Sequence, residues 1–339
     1  MTAALHIVRD SFGPSQSGPH EDPALRPTSF DSYVGQTEVM TNLRGAVSAA
    51  KRGGWQLDHV LMTGPAGYGK TSCAQVIANE LGGKLHVTSA PAIEHKGALA
   101  SLLTALEEGD VLFIDEIHAL DRKIAEVLYT ALEDRVLDMP AGKRVIRVPL
   151  PKFTLIGATT HAGKLPKPLI DRFGIVCQLR AYSTIELATI ITRSAHKLGV
   201  AIDDDGAAVI ANASRGTPRI ANRLLRRVRD AAVNAVGVGA IVSLRGTTVG
   251  AIDGALAVAA LDQLGIDRAG LSPLDRRYLA IVAERPVGIE AICAELGEDR
   301  STIEDAVEPF LLAANMIKRG GKGRLATETG RQHLAEAAS

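Results

Sequence analysis

Between residues 25 and 182, short aliphatic and β-branched runs alternate with stretches whose apolar positions recur at helical spacing. The runs fall at 60–63, 85–88, 111–114, 154–158 and 176–179. Strands separated by helical segments predict a parallel sheet covered by helices, and five of them fit a doubly wound α/β sheet. At residue 183 the pattern changes. Apolar residues at Ile185, Leu187, Ala188, Ile190, Ile191 and Ala195 predict a helix over 184–198, followed by helices at 203–212 and 219–235. This stretch is expected to be a small all-helical domain.

A Gly- and Asp-containing joint at 265–272 precedes three predicted helices, at 273–284, 288–296 and 300–313. Short strands at 316–319 and 324–327 follow, separated by a glycine turn. Three helices and a two-stranded hairpin is the order of a winged helix. The expected division is therefore a tail at 1–24, a sheet domain at 25–182, a helical domain at 183–262 and a winged helix at 263–339. The tail is rich in Gly, Ser and Pro and shows no apolar period.

Composition narrows the picture by exclusion. Hydrophobic residues make up 46% and charged ones 22%, which rules out wholesale disorder. Thirty-eight basic residues balance thirty-eight acidic ones, so any nucleic-acid surface must be a local patch. Cys73, Cys177 and Cys293 lack metal-site spacing, and Cys73 is expected to be a small core side chain. No apolar run approaches the ~18 residues of a membrane span, so a reduced cytoplasmic setting is the expectation.

The chemistry concentrates at strand ends. Gly64-Pro-Ala-Gly67-Tyr-Gly69-Lys70-Thr71 follows the first strand and opens a helix. Glycines let the backbone wrap phosphate oxygens, and the helix start offers unpaired N–H groups. Lys70 would reach the β- and γ-phosphates, and the Thr71 hydroxyl would ligate Mg²⁺. Asp115 and Glu116 end the third strand, at the edge where open α/β sheets bind ligands. Asp115 would hold the Mg²⁺ shell and Glu116 would activate a water; an acidic pair alone could equally cap a helix. Together, loop and acidic pair specify a nucleoside triphosphatase. Thr160 reads either as a γ-phosphate or water sensor or as a turn former. Arg172, in Asp171-Arg172-Phe173, reads locally as an ion-paired surface residue. Arg219 begins a helix, where positive charge is disfavoured unless a phosphate relieves it. His118 is expected to bond a helix start, and the run 223–229 to be a solvated face or a DNA contact.

Beyond these motifs, the chain resembles RuvB-type AAA+ ATPases, motors of Holliday-junction branch migration. The resemblance runs from Leu25-Arg26-Pro27 to Thr327. It includes Tyr33-Val-Gly-Gln36, Leu57-Asp-His-Val60, the phosphate loop, 106–118, 153–160, Asp171-Arg-Phe-Gly174, 215–230 and Gly323-Arg-Leu-Ala-Thr327. It implies an AAA+ five-stranded domain, a helical lid and a winged helix. It also implies ATP and Mg²⁺, a ring of subunits (a hexamer), and action on duplex DNA and four-way junctions. Leu25, Arg26, Tyr33 and Val34 match the adenine segment. Gly67, Gly69, Lys70, Thr71 and Ser72 match the phosphate loop, and Thr160 the first sensor. Tyr182 matches a nucleotide-contacting tyrosine, and Arg219 the second sensor. Arg172 matches an arginine finger offered to the neighbouring subunit. Arg300, Arg319 and Arg324 match DNA contacts of the winged helix.

Departures from the family pattern define further expectations. Ile170 and His161 stand where the pattern has arginines, which implies a subunit interface with fewer positive charges. Residues 137–151 are shorter than the hairpin on which RuvA docks in the family, and Pro140 and Pro149 are expected to limit its strands. Gly320-Gly321 replaces a stiffer pair in the wing. An ATP-driven junction translocase is the expected function. An ATP-dependent switch, or a loader for another DNA machine, is the alternative.

Overall fold

The computed structural model describes residues 23–141, 144–236 and 251–337. All but the last two residues of the expected tail lie outside them. The chain forms two units: one reaches to Glu186 and includes Thr217–Arg219, and the other holds Leu187–Gly216 and the chain from Ile220.

In the first unit, β1 (Val60–Thr63), β2 (Leu85–Ser89) and β3 (Val111–Asp115) alternate with helices Thr37–Gly53, Lys70–Leu81 and Lys96–Thr104. A two-stranded hairpin of β4 (Val136–Ala141) and β5 (Arg144–Pro149) leads into β6 (Thr154–Thr159) and β7 (Ile175–Gln178). The main sheet is parallel, in the order β2-β3-β6-β1-β7. Its central strands are buried on both faces because their residues alternate between two cores. Leu112 and Ile114 pack into one cluster with Leu155 and Leu128. Val111 and Phe113 pack into the other with Met62, Ile77 and Ile156.

That order explains how the motifs meet. β3, β6 and β1 are neighbours, so residues far apart in sequence leave the same sheet edge from adjoining strands. The Lys70–Leu81 helix is fixed at both ends by left-handed glycines, Gly69 (φ 95°) and Gly82 (φ 82°). The Gly82 N–H returns to the carbonyls of Ala78 and Asn79.

The β4–β5 hairpin corrects one expectation. Its strands pair over six positions, from Val136↔Pro149 to Ala141↔Arg144, and both prolines lie within the ladder. A two-stranded ribbon has an unpaired outer side on each strand, where a missing proline N–H costs nothing. Ile170 is partly buried against the core cluster that contains Leu169 and Phe173.

The second unit begins with helices Thr184–Lys197 and Asp204–Asn212, the first of which starts in the first unit. Pro218–Val236 turns Leu224, Leu225, Val228 and Ala232 inward, leaving Arg223 and Arg227 on its solvated face. A helix at Gly254–Gln263 was not anticipated, because GALAVAALDQ is apolar nearly all round and lacks a period.

Next come helices Pro273–Ile281 and Ile289–Leu296, and then a helical stretch from Arg300 to Ala313. The latter is a π-helix over Ile303–Val307. Pro309 has no N–H for the α-helical bond to Asp305, and the preceding turn widens. The wing, β8 (Ile317–Gly320) with β9 (Gly323–Ala326), and helix Glu328–Ala337 complete the winged helix. Arg215, buried Asp275 and the carbonyl of Gly270 tie the lid to it. These elements match the fold class expected from the sequence.

Candidate nucleotide site and wing

The phosphate loop leaves β1 and closes on itself. Gly64 (φ 140°), Gly67 (φ 80°) and Gly69 (φ 95°) occupy backbone conformations that side chains rarely adopt. Lys70 is nearly buried, and its Nζ donates to the carbonyls of Gly64 (2.7 Å) and Pro65 (3.0 Å). Burial lowers the pKa of this ammonium, while Asp115 and Glu116 oppose the shift. A phosphate group would compete with the two carbonyls for it.

The N-terminal segment meets the loop directly. Tyr33 Oη donates to the Gly69 carbonyl at 3.3 Å, and Tyr182 Oη donates to Tyr33 Oη at 3.2 Å. A Cβ on Gly69 would stand 2.6 Å from Tyr33 Oη, so this glycine also makes room for the tyrosine. Gln36 fastens the chain after β7 by exchanging side-chain bonds with the backbone of Arg180 (2.7 and 3.0 Å). Tyr33 and Tyr182 thus belong to the loop's surroundings. No hydrogen bond joins Leu25 or Val34 to it among the described residues. Thr217 and Arg219 approach Gly67, where a Cβ would lie 2.7 Å from Thr217 and 3.1 Å from Arg219.

On β3, Asp115 accepts the Glu116 N–H at 3.0 Å, and burial raises its carboxyl pKa. Glu116 sits at φ 47°, a left-handed position uncommon outside glycine. Such outliers persist where surrounding structure over-determines them. Here the over-determination is visible: the Glu116 Oε2 accepts both the N–H (3.1 Å) and the hydroxyl (2.9 Å) of Thr160 from β6. Thr160 is therefore more than a turn former. It holds the candidate base.

Two histidines complete this corner, and their joint placement was not legible in sequence. His118 Nδ1 lies 3.2 Å from Glu116 Oε2 and 2.9 Å from Thr159 Oγ1, so it bonds side chains rather than a helix start. Burial lowers its pKa, which favours the neutral ring. His161 Nδ1 lies 2.9 Å from Thr160 Oγ1, and the two imidazoles are tilted with centroids 4.9 Å apart.

Arg172 lies beyond the short helix Lys167–Ile170, anchored by its neighbour. Phe173 is buried against Gly157, where a Cβ would meet its ring at 2.8 Å. Arg172 bonds Glu133 (2.6 Å) and the Pro168 carbonyl (2.5 Å), and stacks 4.7 Å over Tyr129. Cys73 is fully buried, which pushes its thiol pKa well up and makes it inert.

The wing differs from its sequence pattern. Lys318, Arg319, Lys322 and Arg324 form a stretch without acids, but the fold supplies acids from the preceding helix. Fully buried Glu308 accepts from Arg319 Nε at 2.7 Å, Arg324 Nε at 2.9 Å and Tyr278 Oη at 2.7 Å. Arg324 also bonds Glu304 (2.8 Å), and Arg300 bonds Glu304 (3.1 Å) and Glu290 (3.2 Å). The i, i+4 spacing of Glu304 and Glu308 was the available signal for this acidic face. Lys318 and Lys322 remain exposed at the tip, along a groove with Pro286 and Leu325.

A phosphate loop, an acidic strand end, a sensor threonine and a helical lid define a P-loop ATPase of the AAA+ class. Three family models then cover the chain in order: the Holliday junction DNA helicase RuvB P-loop domain at 25–179, the RuvB AAA lid domain at 182–267 and the RuvB C-terminal winged helix domain at 268–335. The chain belongs to the RuvB family. It is 48% identical to the Holliday junction branch migration complex subunit RuvB of Rubrobacter xylanophilus over 93% of this chain and 87% of that protein. It is also 48% identical to the same-named subunit of Paramagnetospirillum magneticum over 95% and 91%. The structure of the Thermotoga maritima RuvB Holliday junction branch migration motor matches with a TM-score of 0.79 and 42% identity, over 92% of this chain and 98% of that one. Among the described residues no helix is long and apolar enough to cross a membrane.

Proposed function

We propose that this chain is an ATP-driven motor that moves duplex DNA at four-way junctions, working as a ring. The observation that carries it is the convergence of Lys70, Asp115, Glu116 and Thr160 at three adjoining strand ends, on a chain whose lid and wing are also of the RuvB type. Its working division is the tail to residue 24, ATPase domain to 182, lid to 262 and winged helix beyond.

Lys70 and the loop N–H groups, with Ser72 in the first helical turn, hold the ATP phosphates. Tyr33, Val34, Leu25 and Arg26 flank the base, with Tyr182 behind Tyr33. Thr71 and Asp115 would hold Mg²⁺ through oxygen donors of the kind it prefers, and the ion would supply countercharge to the phosphates. Glu116, oriented by Thr160, accepts the proton of the attacking water. Arg219 reads the nucleotide from the start of the Pro218–Val236 helix. Arg172 completes a neighbouring subunit's site, which requires head-to-tail assembly. Exposed Ile146 gives the hairpin an apolar contact for a RuvA-like partner. Lys318, Arg319 and Lys322 bear on the DNA phosphates, and Arg300 and Arg324 shape the surface beneath them.

The test is DNA-stimulated ATPase together with strand dissociation of a synthetic four-armed junction, with and without a RuvA-like partner. Hydrolysis without junction dissociation in either condition would favour the switch or loader instead.

A further inference from the structure

The corner beside the nucleotide site has a second chemical capacity. Glu116, His118 and His161 place one ligand atom each within 4.8 Å of one another. In a tetrahedral zinc site, bonds of about 2.0–2.1 Å put neighbouring ligand atoms roughly 3.3 Å apart. The Glu116 Oε2–His118 Nδ1 pair already stands at 3.2 Å, and a His161 ring nitrogen lies within 4.8 Å of both residues' ligand atoms.

We propose that Glu116, His118 and His161 form a binding site for a zinc-class transition metal, separate from the Mg²⁺ of the nucleotide, and that its occupation stops ATP hydrolysis. One carboxylate and two imidazoles are a three-ligand set that leaves a fourth position for water. Mg²⁺ prefers oxygen donors and competes poorly for such nitrogens. His161 is exposed, which gives the ion a path in, and the Thr159 hydroxyl that now bonds His118 Nδ1 would give that nitrogen up to the ion. The ion would draw Glu116 from Thr160 and consume the carboxylate that accepts the water's proton. Only this inhibitory part rests on the proposed role of Glu116. His161 is where this chain departs from the arginine of the family pattern, and arginine cannot ligate.

The experiment uses the full-length protein with Zn²⁺ as the probe. Metal affinity is read by competition with a chromogenic indicator, and ATPase is followed against free Zn²⁺ at fixed excess Mg²⁺-ATP. Wild type should bind one Zn²⁺ at this site and lose ATPase as it fills. His161→Arg and His161→Ala should each weaken binding by at least about 10–100-fold, the scale seen even for outer-sphere partners. The inhibitory Zn²⁺ concentration should rise by the same factor, while zinc-free ATPase remains. Cobalt(II) in place of zinc should give ligand-field absorption without a thiolate band, and that absorption should vanish in both variants. Unchanged affinity in both variants, or a thiolate band that persists, would overturn the site. Zinc bound through His161 with ATPase intact would overturn the inhibition. Zinc-free Glu116→Gln separates that failure from a wrong assignment of the base, since it reads the role of Glu116 without any transition metal.

Discussion

Two arginines that the family resemblance assigns to phosphates, Arg172 beside the ATPase core and Arg324 in the wing, are both held by glutamates of their own unit. The glutamates differ. The Glu133 side chain is 64% exposed, whereas that of Glu308 is 0% exposed and also takes Arg319 and Tyr278. An ion pair with one exposed partner keeps its glutamate in water when broken. Exchanging Glu133 for a neighbour's phosphate therefore strands no buried carboxylate, although Arg172 would also have to leave Tyr129 and the Pro168 carbonyl. Breaking a buried pair strands a charge away from water, so Arg324 is committed to the wing's shape. The same residue type has different freedom, and burial of the arginine together with its partner sets it: Arg324 is 14% exposed, whereas Arg319, on the same Glu308, is 47% exposed.

The sharpest way to break this comparison is at Arg172. Arg172→Ala should lower ATPase by about 10³–10⁵, the range for fingers that stabilise transition-state charge. Mixing it with Lys70→Ala protein should restore part of the activity, because some interfaces then pair an intact loop with an intact finger. Glu133→Ala should leave ATPase near native. No recovery in co-assembled mixtures, or a loss at Glu133 equal to that at Arg172, would show that the arginine works where it now sits.

A second effect concerns the base. Glu116→Gln should reduce turnover by about 10²–10⁴, the usual contribution of a positioned base, while ATP stays bound. Thr160→Val should fall in the same direction, since it removes the hydroxyl that Glu116 accepts at 2.9 Å. Native turnover in Glu116→Gln, measured by phosphate release, would remove the carboxylate from the chemistry.

These two sites differ in how far the sequence showed them. The phosphate loop and acidic strand end were legible because their spacing along one strand–turn–helix is itself the mechanism. The five strands were legible to within a residue or so. β1, β3 and β6 showed because runs buried on both faces are largely apolar, and the edge strands β2 and β7 by their β-branched residues between helical stretches. What tertiary packing alone supplies stayed hidden: the Thr160 hydroxyl on Glu116, the pairing of His118 with His161, and Glu304 and Glu308 beneath the wing. By local charge alone, 318–324 is a basic cluster without acids. Such a count could not see acids arriving from a helix that precedes the hairpin in the chain. Likewise, Pro140 and Pro149 read as strand breakers because nothing local says that their ribbon has free outer edges.

The buried half of the comparison predicts a stability effect. Glu308→Ala leaves two guanidinium groups and the Tyr278 hydroxyl without their shared acceptor, at a cost of about 3–5 kcal/mol to the winged helix. Hydrogen exchange of the full chain should then accelerate across Ile317–Ala326, with the β1 and β3 amides unaffected. Equal protection in the variant and the native chain would mean that the network holds nothing together.

The smallest effect is the most discriminating. If Glu308 commits Arg324 to structure, the salt dependence of duplex binding should rest on the exposed charges, Lys318, Arg319 and Lys322. Each DNA phosphate that the wing no longer neutralises lowers the slope of log K against log salt by roughly 0.9. Lys318→Ala and Lys322→Ala should each flatten the slope by up to that amount and weaken binding alike on all sequences, with DNA-free ATPase unchanged. Arg319, whose side chain is 47% exposed despite its bond to Glu308, should behave similarly with a small loss of stability. Arg324→Ala, whose native side chain is only 14% exposed, should lower wing protection and leave the slope nearly native wherever the fold persists. A full change of roughly 0.9 at Arg324, with the wing still protected from exchange, would show that DNA draws it off Glu308. In that case joint burial of arginine and partner would not set an arginine's freedom, and the contrast with Arg172 would fail at its wing end.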